Sequence, residues 1–201
     1  MVKLKSKMYK VSIVTLFLAI IVSFLSFSNA TTQDLDYNNK LIDGKDICYW
    51  IDSSCQYTAT IPSAVSALRY PSGMWNPIVL TKTTVKSQSK IDFYQERSNQ
   101  GYSARTGIFG RKTNGQENQM SWSQAEYQDW LYGKIYLNDT DLDSASTNYR
   151  MNTALHEMLH VYGLKDIYDD RGCIMYGGEG DWTIVGLTRD ANDILVQKYN
   201  Y

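Results

Sequence analysis

The sequence predicts an α+β domain in which three helices pack against one sheet of about five strands. Two observations point there. Segments with the alternating pattern of strands cluster in the first two thirds of the chain, and segments with helical spacing occur once early and twice late. The resulting order is strand, helix, four strands, helix, irregular segment, helix, which is not the regular alternation of a parallel α/β protein.

Each element has its own signal. "DICYWID" is rich in aromatic and β-branched residues and reads as the first strand. "TIPSAVSALRY" has Pro62 in a first helical turn and apolar residues at helical spacing, closed by Pro71 and Gly73. "PIVLTKTTVK" and "SKIDFYQE" alternate as strands do. "RTGIFGRKT" reads as a short strand between glycines, followed by a polar loop containing "NGQENQ". In "WLYGKIYLND" the last strand should turn Ile135 and Leu137 to one face and Tyr136 to the other. A long helix is expected from about Ser144 to Tyr162, with Asp143 or Ser144 as its N-cap. The final helix is "LTRDANDILVQKY", with Thr188 at its N-cap and Asp190 and Asp193 early in it.

The N-terminus has a different character. Lys3, Lys5, Lys7 and Lys10 precede an apolar run from Val11 to Phe27 and a small-residue exit ending at Ala30. That layout is expected of a secretory signal peptide over residues 1–30, cleaved after Ala30, and the protein is expected to be secreted and extracellular. The alternative is an uncleaved membrane anchor, for which the run is slightly short and is interrupted by hydroxyl residues. Residues 31–45 are expected to form a short polar leader and residues 46–201 the folded domain. Of 20 basic and 21 acidic residues, the first thirty positions hold four lysines and no acid, so the remainder carries a net charge of about −5. That balance gives no basic patch for nucleic acid. Cys48, Cys55 and Cys173 would form one disulfide in an oxidising compartment, with three pairings open and Cys48–Cys55 the local one.

The chemistry is concentrated in "HEMLHVYGLKD", residues 156–166. His156 and His160 are the chain's two histidines and lie one helical turn apart, with Glu157 beside the first. Two imidazoles on one helix face can bind one zinc ion, and a catalytic zinc needs a third protein ligand and an open position for water. Gly163 can end the helix and turn the chain, so that Asp166 reaches back as the third ligand. Asp169 and Asp170 are alternatives to Asp166, and Glu179 is the alternative of a different zinc geometry, set in a glycine-rich segment unsuited to a helix. "DTDLDS" places Asp139, Asp141 and Asp143 at alternating positions, but Ser144 and Arg150 stand where an EF-hand needs glycine and glutamate. Calcium is therefore possible but unsupported.

His156, Glu157, His160, Gly163 and Asp166 resemble the HExxHxxGxxD form of the metzincin metallopeptidase motif, found in secreted bacterial members such as the snapalysins. "GCIMYGG" resembles the family's methionine turn, with Met175 followed by Tyr176 as in the matrixin branch. The resemblance implies a metzincin-like catalytic domain: a mixed, mostly parallel sheet, and a zinc helix followed by the Met-turn. It also implies one catalytic Zn²⁺ on His156, His160 and Asp166, Glu157 as general base, and Met175 as an apolar floor. The activity implied is that of a zinc metalloendopeptidase, monomeric and acting on extracellular proteins or peptides, with "TGIFGRK" as the edge strand that aligns the substrate. Three features depart from the matrixins: the third ligand is Asp, about fifteen residues leave no room for an inhibitory prodomain, and Tyr176 directly follows Met175, so no tyrosine ligand is carried over. The alternative reading is a zinc-stabilised, peptidase-like binding module without proteolytic activity.

Overall fold

The computed structural model describes residues 35–110, 116–178 and 184–200. The expected signal segment, the first residues of the leader, part of the "NGQENQ" loop and Glu179 lie outside the described residues. The fold is α+β. Its strands are β1 (Asp46–Ile51), β2 (Val79–Lys82), β3 (Ser89–Glu96), β4 (Ala104–Phe109), β5 (Gln119–Met120) and β6 (Tyr132–Asn138). Its helices are α1 (Thr60–Arg69), α2 (Asp139–Leu142), α3 (Thr147–Val161) and α4 (Arg189–Tyr199).

The strands form one sheet in the order β2-β1-β3-β6-β4-β5. β1 pairs in parallel with β2 and β3, and β3 with β6, whereas β4 is antiparallel to β6 and β5. The sheet is thus mixed and mostly parallel, with β5 as a two-residue strand that its short sequence does not announce. β5 covers β4 only at Ile108 and Phe109, so the outer edge of β4 from Ala104 to Gly107 has no strand beside it among the described residues.

Alternation decides which side chains meet the helices. Ile47 and Tyr49 of β1, Ile91 and Phe93 of β3, and Ile135 and Leu137 of β6 are buried together with the apolar faces of α1 and α3. The opposite face carries a row of rings. Tyr94 stacks on Tyr136 at 5.3 Å between centroids, Arg105 lies 4.3 Å over Tyr136, and Lys86 lies 5.0 Å over Trp50. The ring faces at the ends of that row are capped by the protein's own cations.

Three expectations change in the structure. The expected long helix starts three residues later than expected: α3 begins at Thr147 with Ser146 as its cap, accepting from Tyr149 N, and a separate short helix α2, capped by Asn138, precedes it. Asp143 instead ends α2 and accepts from the Tyr57 hydroxyl, while Asp139 accepts from Gln95 and Arg97, so two of the three aspartates are held by side-chain donors. The cysteines are free thiols. Cys48 alternates with the buried Ile47 and Tyr49 and so faces away from the core that contains Cys55 and Cys173. The leader is the third case. From Leu35 onward it is packed: Leu35 and Leu41 are buried, and its backbone bonds to the chain beyond α3.

α3 lies so close to β6 that one position tolerates no side chain. A Cβ on Gly133 would fall 2.5 Å from Val161 Cγ2. Gly133→Ala is expected to destabilise the domain by about 1–3 kcal/mol in denaturant unfolding, as overpacking does. Adding Val161→Ala should recover part of that loss, because the two changes share one contact.

Candidate metal centre

α3 ends in a way that fixes everything after it. Gly163 has φ +98, Gly163 N donates to His160 O at 3.0 Å, and Leu164 N donates to Leu159 O at 3.0 Å. This is a Schellman motif, in which a left-handed glycine closes the helix and reverses the chain. The carbonyls of the last turn are all used. Trp130 Nε1 donates to Val161 O at 2.8 Å, the Tyr199 hydroxyl donates to Tyr162 O at 3.0 Å, and Tyr37 N donates to Gly163 O at 3.0 Å. A helix end buried without such partners would leave polar groups unpaired.

The turn brings Asp166 back to the histidines. One ligand atom from each of His156, His160 and Asp166 can be chosen so that all three lie within 4.8 Å of one another. His156 Nδ1 is 2.8 Å from Ile174 O and His160 Nδ1 is 2.8 Å from Leu164 O. A carbonyl can only accept, so each Nδ1 carries the proton and donates it, and in the neutral ring Nε2 presents a lone pair. Those atoms face Asp166 Oδ1, His156 Nε2 at 3.0 Å and His160 Nε2 at 3.4 Å. Asp166 Oδ1 is buried and lacks a hydrogen-bond donor. Three lone pairs converging in a low-dielectric pocket repel one another until a cation sits between them.

The titration of the group expresses the same demand. Burial disfavours charge on His160, but the Asp166 carboxylate and the charge of Glu157 outweigh it and push its pKa up to about 9. Burial would likewise raise Asp166, yet the two imidazoles hold its carboxyl well below the usual range. Two imidazoles and a carboxylate with ring tautomers fixed by backbone carbonyls are a donor set suited to Zn²⁺. Asp169 is exposed, and Asp170 accepts from Gly172 N, so neither alternative joins the group.

The segment after the motif supports the ligands from below. Met175 is fully buried, and its carbonyl accepts from Ile167 N, while Gly177 N donates to Ile167 O. Cys173–Gly177 is thereby laid beside the Asp166 loop, and Ile174 O reaches His156. A Cβ on Gly177 would lie 2.8 Å from Asp166 Cγ, so this glycine makes room for the carboxylate. Thr188 stands at the N-cap position of α4, but its hydroxyl lies toward Cys173 and Ile174.

Glu157 sits beside the group, 7 % exposed, and Thr106 of β4 donates to its Oε2 at 2.6 Å. A cleft of about 400 Å³ joins these residues to the open edge of β4 and to Trp122 and Tyr176. A larger hollow of about 810 Å³ beside α2 holds neither histidine, so the donor atoms rather than volume locate the site. Nothing in residue type or spacing marked Thr106 as the partner of Glu157, or Leu164 O and Ile174 O as acceptors for the imidazoles. The "GG" after Tyr176 was a readable signal of close backbone approach.

Compared with protein-family models and with curated proteins, the chain matches none. The donor set itself is open to test. Asp166→Ala is expected to lower zinc affinity by at least about tenfold, and Asp169→Ala to leave it unchanged, in competition against a chromophoric chelator.

Proposed function

We propose that this chain is a secreted zinc-dependent endopeptidase of metzincin type, acting on extracellular proteins or peptides. The observation that carries the reading is the convergence of His156 Nε2, His160 Nε2 and Asp166 Oδ1 beside Glu157, at the floor of a cleft that opens along β4. A structural metal site has no use for a carboxylate base at its side or for an adjoining groove.

In this reading His156, His160 and Asp166 hold the ion. Bound zinc supplies a Lewis acid that lowers the pKa of a water toward about 7 and polarises the scissile carbonyl. Glu157 takes the water proton and returns it to the leaving nitrogen. The Thr106 hydroxyl, 2.6 Å from Oε2, pins one carboxylate oxygen and leaves Oε1 as the proton acceptor. The unpaired edge from Ala104 to Gly107 offers backbone groups to an extended peptide, which would add as a strand and lie across the ligands. Trp122, 5.6 Å from the His160 ring and stacked on Tyr37 at 5.2 Å, walls the cleft beside the metal group.

A digest of a broad peptide library by zinc-loaded protein tests the activity, with Glu157→Gln as control. Glu157→Gln should keep zinc and lose at least about a hundredfold in kcat. A variant that holds zinc and cleaves like the wild type removes Glu157 from the chemistry. Complete inertness of the wild type, zinc loaded, would favour a binding module. Thr106→Val is expected to lower kcat about tenfold with KM little changed, since a lost hydrogen bond to a charged group is worth roughly 1.5 kcal/mol. Thr106→Ser should restore most of that rate.

A further inference from the structure

Lys198 of α4 is a charged side chain that the fold buries, at 8 % exposure. A buried ammonium survives only if its protons are met. Here it faces one short segment: it donates to the carbonyls of Tyr37 at 2.5 Å and Asn39 at 3.0 Å, and pairs with the carboxylate of Asp36, whose Oδ1 lies 2.5 Å away. Burial presses its pKa down, and Asp36 opposes the shift. Leu35 and Leu41, at either end of the segment, are buried, and Lys40 Nζ returns to Lys198 O at 2.8 Å.

The backbone of the same segment is spent on the loop that carries the third ligand. Leu35 O accepts from Lys165 N at 2.6 Å, Tyr37 N donates to Gly163 O at 3.0 Å, and Asp36 pairs with Leu164 as an antiparallel bridge. Asn39 O lies 2.8 Å from where a Cβ on Gly163 would be, so segment and turn are in close contact. Leu164 is the centre of that loop. Its carbonyl fixes the His160 ring, and Asp166 follows two residues later. His156 and His160 stand on a helix, whereas Asp166 stands on an irregular loop, bonded on its far side to the Met175 segment and on its near side to residues 35–37.

We propose that Lys198 is a positioning residue for the metal centre: it fastens residues 35–41 as a strap across the 163–165 loop, and the strap holds Asp166 and the His160 ring where they can share one ion. The proposal rests on the zinc reading given above. It gives the polar residues just before β1 a task, which is to preorganise the third ligand. It also makes the N-terminal boundary of an active chain a matter of chemistry, since cleavage between Leu35 and Leu41 would cut the strap while removing no ligand residue from the chain.

The test measures zinc affinity, by competition with a chromophoric chelator, for the wild-type chain, Lys198→Met and Lys198→Arg, alongside thermal unfolding of each metal-free protein. Lys198→Met is expected to fold and to bind zinc about tenfold or more weakly, the scale typical of lost support for a ligand. Lys198→Arg, which keeps the cation, should recover part of that loss. A purely structural lysine would instead lower the unfolding temperature and leave the affinity of the folded protein unchanged, and that result overturns the proposal. Should Lys198→Met not fold, Asp36→Asn carries the test with an expected loss of about threefold, because it keeps both carbonyl contacts to Lys198 and removes one charge. Wild-type affinity in a folded Asp36→Asn would then overturn the strap. Wild-type protein that takes up no zinc overturns the zinc reading and the strap's role with it, whereas equal zinc affinity in wild type and Lys198→Met overturns the strap alone.

Discussion

Three electron-pair donors held against one another are the constraint on which the rest of the structure depends. His156 Nε2 and His160 Nε2 lie 3.0 and 3.4 Å from Asp166 Oδ1, with both ring protons committed to carbonyls on the far side. Left to itself, such a group would relax by rotating a ring or swinging the carboxylate into water. It is kept together because each member is fixed from behind: His156 by Ile174 O, His160 by Leu164 O, and Asp166 by the space that Gly177 leaves. The energy of keeping the donors close is supplied by the surrounding fold, and a bound cation would release it.

The three ligands need unequal support. Two stand one turn apart on α3, whose buried face is set by packing on β4, β6 and α1. The third stands beyond a helix end, where the chain must satisfy its own orphan carbonyls before it can do anything else. Trp130, Tyr199 and Tyr37 take three of those carbonyls, and they come from three separate parts of the chain. The end of α3 is therefore where the segment before β6, the last helix and the N-terminal segment meet.

The sequence carried the site more plainly than its surroundings, and for physical reasons. Helical spacing is a local property, so His156 and His160 could be placed on one face from their numbers alone, with Glu157 offset beside the first, and Gly163 marked the turn. The strands around Ile91, Phe93, Ile135 and Leu137 were legible because burial on one face forces alternation. Residues 35–45 were not, because what holds them is mostly backbone bonding to distant carbonyls and amides, which leaves no pattern in side-chain types. The start of α3 was placed three residues early because Asp143, Ser144 and Ser146 are all good caps; the Tyr57 hydroxyl holds Asp143, and Ser146 accepts from Tyr149 N. Cys48 could pair with neither Cys55 nor Cys173 because strand alternation put it on the face away from them.

An aspartate as third ligand fits this particular loop. An imidazole at position 166 would need its own acceptor for Nδ1, and the neighbouring carbonyls of Ile174 and Leu164 already serve His156 and His160. A carboxylate needs no such partner. It needs room beside the backbone, which Gly177 gives, and positive charge in front of it, which two neutral imidazoles cannot supply. Together with Glu157 it places two carboxylates in one largely buried pocket, and the pull toward protonation at His160 reports the resulting deficit of positive charge. A dication removes that deficit at once, whereas a proton on one ring leaves the second carboxylate uncompensated. The balance of charge in the pocket is one that a bound divalent cation, as proposed, would meet better than a single proton.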